Sequence, residues 1–311
     1  MTAESCLDVL VAGDLFLDLV MSGFQSWPKP GEESFAKKFH KEVGGGAAIT
    51  ACGLSKLGFR TGVLGVVGKE DGQWMLKELR GRGVDTSSIH LTDAEPTAFT
   101  VSVSSARDRA FLTYGGANRE LPAALGKLVG TAEATHVRHI HLAHAMNPLQ
   151  AKTLFQAIRD RGWSLSLDVG WHPEWFADPR AMTALKLVDI FFPNEREAAE
   201  ITKERETRRI LEVFGQMGLC RVALKLGAEG AALLWDGEIT FQKSGPLEAV
   251  DTTGAGDCFD AGFLYAWLRG MPPSLCLRAG AACGELSVRA MGGIAGAPSR
   301  EELEAILCIA R

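Results

Sequence analysis

A glycine-rich segment near the C-terminus, residues 251–257, reads Asp-Thr-Thr-Gly-Ala-Gly-Asp and runs into an apolar stretch with helical spacing, Cys258 to Leu268. A glycine turn that opens a helix presents unpaired backbone N–H groups at the positive end of the helix dipole, so it attracts phosphate. Asp257 lies at this turn, where its carboxylate could accept a proton from a hydroxyl beside the phosphate. The pattern favours phosphoryl transfer. The alternative is a structural turn in which Asp257 only caps the helix.

Two carboxylates and a second glycine turn lie near the N-terminus. Asp14 and Asp18 flank the end of a short apolar run, residues 7–12, which predicts a buried strand. Both could point into one crevice and accept hydrogen bonds from sugar hydroxyls, or they could be ordinary surface acids. Residues 44–48, Gly-Gly-Gly-Ala-Ala, open a helix that ends at Leu57. This turn is either a phosphate loop or a site of close helix–sheet packing, and it does not meet the G-x-G-x-x-G pattern.

Two other apolar runs end in residues that could meet a nucleotide. Asn194 and Glu197 follow the run 188–193 and start a helix. Lys225 ends a predicted strand just before the glycine turn 227–230. A lysine at this position could contact a phosphate as a point charge or could pair with an acid, and the sequence does not separate the two.

The elements that must position these residues alternate between short apolar runs and helical periodicity, which predicts βαβ units around a parallel sheet. The predicted strands are Leu7 to Ala12, Thr61 to Val67, Val137 to Leu142, Ser164 to Leu167, Val188 to Phe192 and Arg221 to Leu226, with helices such as Leu149 to Arg161 and Thr207 to Met217.

Two stretches interrupt this alternation, Glu33 to Val43 and Thr97 to Tyr114, and both alternate polar with apolar residues as exposed antiparallel strands do. They predict either a small lid or an edge of the main sheet. No repeat or Pro/Ser-rich linker divides the chain, so we expect one α/β domain over residues 1–311, with lid strands from about 14–43 and 97–114.

The composition of the chain argues against several classes of function. A hydrophobic content of 46% over 311 residues supports a large core, and a formal charge of −5 with a pI near 5.9 argues against a nucleic-acid partner. The apolar runs are too short for a membrane span, and acidic residues occupy the N-terminus where a signal peptide would be basic. We therefore expect a cytoplasmic protein. Seven cysteines without paired spacing are expected to be mostly buried small hydrophobes.

The segment 251–257 with its apolar helix resembles the C-terminal signature of the ribokinase-like (PfkB) carbohydrate kinases. The resemblance extends to Gly44-Gly45, to residues 68–72 and 116–118, and to the N-x-x-E motif at Asn194 to Glu197, so it covers nearly the whole chain. It implies a three-layer α/β/α fold with a mostly parallel central sheet and a small β-strand lid, through which relatives often dimerise. It also implies an ATP-dependent kinase that transfers the γ-phosphate to a hydroxyl of a sugar or sugar-containing molecule.

The resemblance assigns roles to residues of this chain. Asp257 is expected to accept the proton of the attacking hydroxyl while the amides of Gly254, Ala255 and Gly256 stabilise the transferring group. The acceptor is expected to contact Asp18, Asp14, Gly44, Gly45, Ile49 and Met146. The ATP-binding residues are expected to be Asn194, Lys225, Gly227, Gly230 and Thr253, with a loop within residues 284–298 over adenine. Glu197 would act on Mg²⁺ through water, and Asp251 with Thr253 would hold a monovalent cation such as K⁺.

Two positions depart from the family pattern. Ile49 stands where a sugar-binding Asn is usual, and Met146 stands where a sugar-binding Glu is usual. Losing two buried hydrogen-bonding groups would cost about 1–3 kcal/mol each for ribose. We therefore expect an acceptor with an apolar or planar portion, such as a nucleoside, with Phe16, Phe99 or Phe111 nearby.

Other groups leave alternatives open. His144 and Asn147 could restore polar contacts to the acceptor, and Arg107 or Arg109 could reach a phosphate or an acid. A nucleotide-dependent oxidoreductase is disfavoured because no acidic residue follows a proper glycine fingerprint. A non-catalytic sugar or nucleotide sensor with the same fold is the remaining alternative.

Overall fold

A computed structural model describes residues 7–24, 31–105, 109–130, 137–245 and 249–308. Its strands are β1 (Leu7–Gly13), β2 (Phe16–Phe24), β3 (Lys38–Gly44), β4 (Thr61–Gly68), β5 (Ile89–Thr92), β6 (Phe99–Ser105), β7 (Arg109–Tyr114), β8 (Val137–Ala143), β9 (Ser164–Asp168), β10 (Ile190–Phe191), β11 (Arg221–Lys225), β12 (Ala231–Trp235) and β13 (Glu238–Gln242). Its α-helices are α1 (Gly46–Lys56), α2 (Gly72–Gly81), α3 (Leu121–Gly130), α4 (Pro148–Asp160), α5 (Pro173–Phe176), α6 (Pro179–Leu185), α7 (Glu195–Thr202), α8 (Thr207–Gln216), α9 (Ala255–Leu268), α10 (Pro273–Ser287) and α11 (Arg300–Leu307).

The large sheet has nine strands in the order β13-β12-β11-β10-β9-β8-β1-β4-β5. The pairs from β11 to β5 are parallel, whereas β12 and β13 pair antiparallel at one edge. Every residue of β4 is buried, and β1 is buried at all but one position. Strands covered on both faces are continuously apolar, which is why the sequence predicted them.

Helices cover both faces of this sheet. Leu10 and Ala12 of β1 belong to one half of the core, with side chains from α3, α4, α6 and α8. Val9 and Val11 of the same strand belong to the other half, with side chains from α1, α2, α9, α10 and α11. Because successive side chains of a strand point to opposite faces, this division shows a three-layer α/β/α arrangement. The predicted fold class is confirmed.

The second sheet has four strands in the order β3-β2-β6-β7 and forms the predicted small β sheet. Its outer pairs are antiparallel, but the central pair, β2 and β6, is parallel. The strand predicted to begin at Glu33 begins at Lys38. Of the hairpin turn predicted at residues 106–109, residues 106–108 lie outside the described part of the chain, and Arg109 begins β7.

The structure differs from the predicted alternation beyond residue 230. We expected continuous α/β alternation there, and the chain instead forms the antiparallel hairpin of β12 and β13. Asp236 and Gly237, with φ of 50° and 95°, form the two-residue turn between these strands. Both φ values are those of the tight hairpin turns that favour Asp-Gly. The predicted strand Val188 to Phe192 is only two residues long.

Two expectations from composition can be compared with the described residues. No helix among them is long and apolar enough to cross a bilayer. Of the described cysteines, Cys52, Cys258, Cys276 and Cys283 are buried, and Cys220 and Cys308 are exposed. Cys6 lies outside the described residues.

Candidate active site

The segment 251–257 forms a tight turn at the start of α9. Gly254 is the N-cap residue and has a φ of 73°, and a Cβ placed on it would lie 2.7 Å from the Cα of Gly293. Asp251 fixes the turn, because its Oδ1 accepts hydrogen bonds from the N–H and Oγ1 of Thr253 at 3.0 and 2.7 Å. Its Oδ2 accepts one from the N–H of Gly292 at 3.1 Å. A glycine is therefore required at 254 by backbone conformation and by space.

The start of α9 offers first-turn N–H groups at the positive end of the helix dipole. The N–H of Ala255 also donates to the carbonyl oxygen of Thr252 at 3.3 Å, which closes the turn. The N-cap position of α9 is held by Gly254, and Asp257 lies in the first turn. Asp257 is therefore not the N-cap residue that the structural alternative required.

Asp257 faces the N-terminal end of α1. A Cβ placed on Gly46 would lie 2.8 Å from its Oδ1, so the carboxylate lies directly against this glycine. Thr50 of α1 donates its hydroxyl to the Asp257 carbonyl oxygen at 3.3 Å. The pKa of Asp257 is raised from 3.8 to about 7, mainly by burial, with Asp168 and Glu197 also raising it and Lys225 lowering it. A carboxylate with a pKa near neutrality can act as a proton acceptor at physiological pH.

Lys225 at the end of β11 lies among buried acids. Its Nζ donates to Oδ2 of Asp168, the last residue of β9, at 2.6 Å, and to Oδ1 of Asp260 at 3.2 Å. Oxygen atoms of Asp168, Asp257 and Asp260 lie within 4.8 Å of one another. The structure therefore pairs Lys225 with acids. Asp168 and Asp260 were not predicted from the sequence, although Asp260 is, with Asp257, one of two carboxylates on an apolar helix and Asp168 ends a buried strand.

Protonation in this group follows from burial and pairing. Burial favours the neutral acid at Asp168, but Lys225 outweighs it and holds the Asp168 pKa below its usual value. Asp168 and Asp260 together raise the pKa of Lys225 despite its burial. Burial raises the pKa of Asp260 well above its usual value. Lys225 thus stays charged and Asp168 stays ionised.

Asn194 and Glu197 form a capping box at the start of α7. The Asn194 side chain accepts the Glu197 N–H at 2.9 Å, and the Glu197 carboxylate accepts both the backbone N–H of Asn194 at 2.9 Å and its Nδ2 at 2.6 Å. The N–H of Lys225 donates to the carbonyl oxygen of Pro193 at 2.9 Å, which joins this helix start to β11. Glu197 is 3% exposed, and burial raises its pKa.

A cavity of about 620 Å³ lies beside the start of α9. Its lining includes Lys225, Gly227, Gly230, Gly256 and Phe259 on one side, and Ala281, Gly284 and Val288 of the α10 region on the other. Three predicted ATP-binding positions thus share one cavity of ligand size. Asn194 and Thr253 are not among its lining residues.

Asp18 lies directly against Gly44, two residues before the glycine that contacts Asp257. A Cβ placed on Gly44 would lie 1.9 Å from Oδ2 of Asp18, so only a glycine leaves room for this carboxylate. Burial and the nearby Glu42 raise the Asp18 pKa from 3.8 to about 7. The three glycines 44–46 therefore run from Asp18 to Asp257.

Asp14 is the third carboxylate near this turn. Its Oδ2 pairs with Nδ1 of His144 at 3.0 Å, and its Oδ1 is buried without a partner among the described residues. Gly45 has a φ of 94°, and a Cβ there would lie 2.3 Å from the Asp14 carbonyl oxygen. The predicted acceptor residues Asp14, Asp18, Gly44 and Gly45 are thus brought together.

The two residues that depart from the family pattern, Ile49 and Met146, are buried. Ile49 packs against Gly254 and Gly293, since its Cδ1 would lie 3.0 and 2.6 Å from Cβ atoms placed there. Met146 is 3% exposed within the core, and its carbonyl oxygen accepts a hydrogen bond from Nε1 of Trp175 at 2.9 Å. As acceptor contacts, both stay predictions.

Arg107 lies outside the described residues, and the side chain of Arg109 is not described. Their predicted contact with a phosphate or an acid stays a prediction.

Comparison with known proteins adds to this geometry. Residues 8–300 match the family described as pfkB family carbohydrate kinase. The chain belongs to this family. It is similar to the 2-dehydro-3-deoxygluconokinase of Bacillus subtilis (strain 168), with 30% identity over 292 residues that cover 88% of this chain and 89% of the relative. The nucleoside kinase of Methanothermobacter thermautotrophicus is 28% identical over 95% of this kinase and 94% of its own length.

Among solved structures, Arabidopsis thaliana ribokinase complexed with ribose and ATP matches this kinase with a TM-score of 0.85 and 27% identity. The match covers 98% of this chain and 100% of that one. Family membership confirms the predicted ribokinase-like resemblance and makes the chain an ATP-dependent carbohydrate kinase.

Proposed function

We propose that this kinase transfers the γ-phosphate of ATP to a hydroxyl of a sugar or sugar-containing acceptor, with Asp257 as the general base. The observation that carries the proposal is the place of Asp257. Its carboxylate lies in the first turn of α9, next to Gly46, with a pKa of about 7. Gly256 of that turn lines the cavity, and the glycines 44–46 connect Asp257 to Asp18 and Asp14.

The proposed step follows from this arrangement. Asp257 accepts the hydroxyl proton as the acceptor oxygen forms a bond to the γ-phosphorus and the bond from phosphorus to the ADP oxygen breaks. The N–H groups of Gly254, Ala255 and Gly256 at the start of α9 stabilise the charge on the transferring group, the Ala255 N–H being shared with the Thr252 carbonyl oxygen. Asp251 and Gly254 already fix the turn that presents these groups.

ATP is the phosphate donor of this family, and we place its purine and ribose in the cavity of about 620 Å³. Lys225, Gly227 and Gly230 line that cavity, and Asn194 and Thr253 are proposed to act from its edge. Gly227 and Gly230 let the nucleotide approach the backbone closely.

Mg²⁺ fits the residues at the start of α7. Glu197 accepts two hydrogen bonds from Asn194, and its carboxylate oxygens retain lone pairs for water. Glu197 would hold the ion through water, as suits a cation that keeps part of its water shell, and the ion would neutralise phosphate charge.

A monovalent cation site at Asp251 and Thr253, occupied by K⁺, is a further proposal. It is tested by comparing kcat in the presence of K⁺ with kcat in the presence of Na⁺.

For the acceptor, the described side chains favour hydroxyl recognition. Asp18 and Asp14 offer carboxylate oxygens beside the 44–46 turn, and His144 adds a ring nitrogen. The sugar portion of the acceptor would bind here. Ile49 and Met146 still predict that free ribose is a poor acceptor compared with a nucleoside.

The test is ADP release by the wild-type enzyme over a panel of ribose, fructose, nucleosides and 2-dehydro-3-deoxygluconate, with Asp257→Asn as the paired control. We expect ATP- and acceptor-dependent ADP release that Asp257→Asn loses. High kcat/KM for ribose or fructose without turnover of nucleosides would contradict the acceptor prediction. Tight acceptor binding without ADP release from any member would support a non-catalytic sensor instead.

A further inference from the structure

One buried ammonium group lies among four carboxyl groups behind the turn of α9. Lys225 is 11% exposed, Asp168 is 13% exposed and Asp260 is completely buried. Asp257 offers an oxygen within 4.8 Å of the carboxylates of Asp168 and Asp260, and Glu197 interacts electrostatically with the same lysine. Without a neighbouring cation, these four carboxyl groups could not all be ionised, because they are close together and largely shielded from water.

The lysine is fixed in place by both neighbouring elements. Asp168 lies at the end of β9 and Asp260 lies in α9, so their two hydrogen bonds tie Lys225 to the sheet and to the helix that carries Asp257. The Nζ atom also lies 3.5 Å from a Cβ placed on Gly256, which is ordinary contact with the turn. The charge is therefore held at a defined position beneath the helix start.

We propose that Lys225, clamped by Asp168 and Asp260, is a positioning residue for phosphoryl transfer, whose fixed charge allows Asp257 to ionise at neutral pH among neighbouring carboxylates. This inference rests on the proposed role of Asp257. It replaces the two interpretations that the sequence left open, a phosphate contact or a simple ion pair, with a role that acts through the base.

The direction of the electrostatic effect follows from the groups that face Asp257. Burial, Asp168 on β9 and Glu197 on α7 all favour its neutral form, and Lys225 on β11 favours the carboxylate. Asp260 on α9 is neutral near pH 7, because burial and its hydrogen bond with Asp168 raise its pKa well above the usual value. His141 on β8 is neutral near pH 7, because burial lowers its pKa to about 4. Removing Lys225 alone therefore raises the Asp257 pKa, whereas removing the negative charge of Asp168 as well compensates.

The test compares Lys225→Met, Asp168→Asn and the double variant with the wild-type enzyme in pH profiles of kcat. We expect Lys225→Met to move the acid limb upward by about one to two pH units and therefore to lower kcat at pH 7 by about 5- to 50-fold. The KM for ATP should stay within about threefold, since the base is affected and not nucleotide binding. The double variant should recover most of kcat and the wild-type acid limb.

Lys69→Met is the matched control, because Lys69 forms an exposed ion pair with Asp93 at 3.1 Å. It should leave both kcat and the profile unchanged. A higher KM for ATP at unchanged kcat in Lys225→Met would assign Lys225 to direct phosphate binding and overturn the proposal. An equal loss of kcat at every pH, without recovery in the double variant, would also overturn it.

Thermal unfolding supplies a measurement independent of activity. We expect Lys225→Met to melt below the double variant, because the single change leaves the ionised Asp168 without its cation. If Lys225→Met does not fold, Asp168→Asn alone should move the acid limb to lower pH, and an unmoved limb would refute the proposal. Absence of turnover by the wild-type enzyme would instead refute the proposed function, and the order of melting temperatures would still decide whether Lys225 compensates these charges.

Discussion

Replacing Asp257 by Asn should abolish catalysis and stabilise the folded protein at neutral pH. The substitution keeps the size of the side chain and removes its ability to accept a proton. Loss of a general base lowers kcat by about 10²–10⁴-fold. Binding of ATP and acceptor should change little, because the fold of the turn depends on Asp251 and Gly254 and not on this carboxylate.

The stability gain can be worked from the pKa. Burial raises the Asp257 pKa from 3.8 to about 7. A difference of about three pH units corresponds to about 4 kcal/mol of penalty on the ionised form. The side chain keeps some contact with solvent, so we take about 1–3 kcal/mol as the gain for Asp257→Asn.

The sign of the pH dependence follows from linkage. Above pH 7 the carboxylate is ionised in both the folded and the unfolded protein, so the wild-type enzyme carries the full penalty there. As the pH falls from 7 toward 4, the folded protein binds the proton first and the penalty disappears. The stability difference between Asp257→Asn and wild type should therefore be largest above pH 7 and should vanish near pH 4.

The assay is urea denaturation of both proteins at pH 5, 6, 7 and 8, combined with ADP release and calorimetric binding of ATP. Full turnover by Asp257→Asn would refute its role as the base. A variant that is equally or less stable than wild type at pH 8 would refute the argument that burial strains the ionised carboxylate.

Three other substitutions test the geometry. Gly254→Ala should destabilise the protein by about 1–3 kcal/mol and lower kcat, because its Cβ would lie 2.7 Å from the Cα of Gly293 at a φ of 73°; urea denaturation and kcat measurements check this. Gly44→Ala should raise the acceptor KM without changing the ATP KM, because it displaces Asp18, and equal KM values with wild type would contradict this. Leu112→Glu should convert the predicted lid dimer into a monomer in sedimentation velocity, and a wild-type monomer would refute the dimer.

The expectation for Leu112 comes from strand register. Leu19 is paired with Lys41 and Val101, and Val101 with Leu112, so these residues form one row across the small sheet. Leu112 is 67% exposed. Asp18, the next residue along β2, points to the opposite face, where the acceptor would bind. The exposed apolar face is thus directed away from the acceptor, as a dimer through the lid requires.

The parallel sheet could be predicted from the sequence because each central strand is apolar on both faces, as in the run Thr61 to Val67. Strand ends were predicted less accurately, because burial extends beyond the residues of the strand itself. Phe192 is completely buried and its N–H donates to the Leu167 carbonyl oxygen at 2.9 Å, but it lies beyond β10. The β12 and β13 hairpin was missed although Asp236-Gly237 is a known turn signal, because the surrounding helices led us to extend the α/β pattern.

The candidate site likewise contains residues that could be predicted from the sequence and residues that could not. Asp257 and its glycine turn could be found from the sequence because helix start, glycines and carboxylate are contiguous. The partners of Lys225 could not be found from the sequence, because Asp168 lies 57 residues away and Asp260 lies 35 residues away along the chain. Which buried acid meets a lysine depends on strand order. In this fold β9 and β11 flank the two-residue β10, and α9 lies over them. The role of the charge at Lys225 therefore depends on the fold, which brings the ends of β9 and β11 and the start of α9 to the same edge of the sheet. The geometry around Asp257, in contrast, is contained within the seven residues of its own motif.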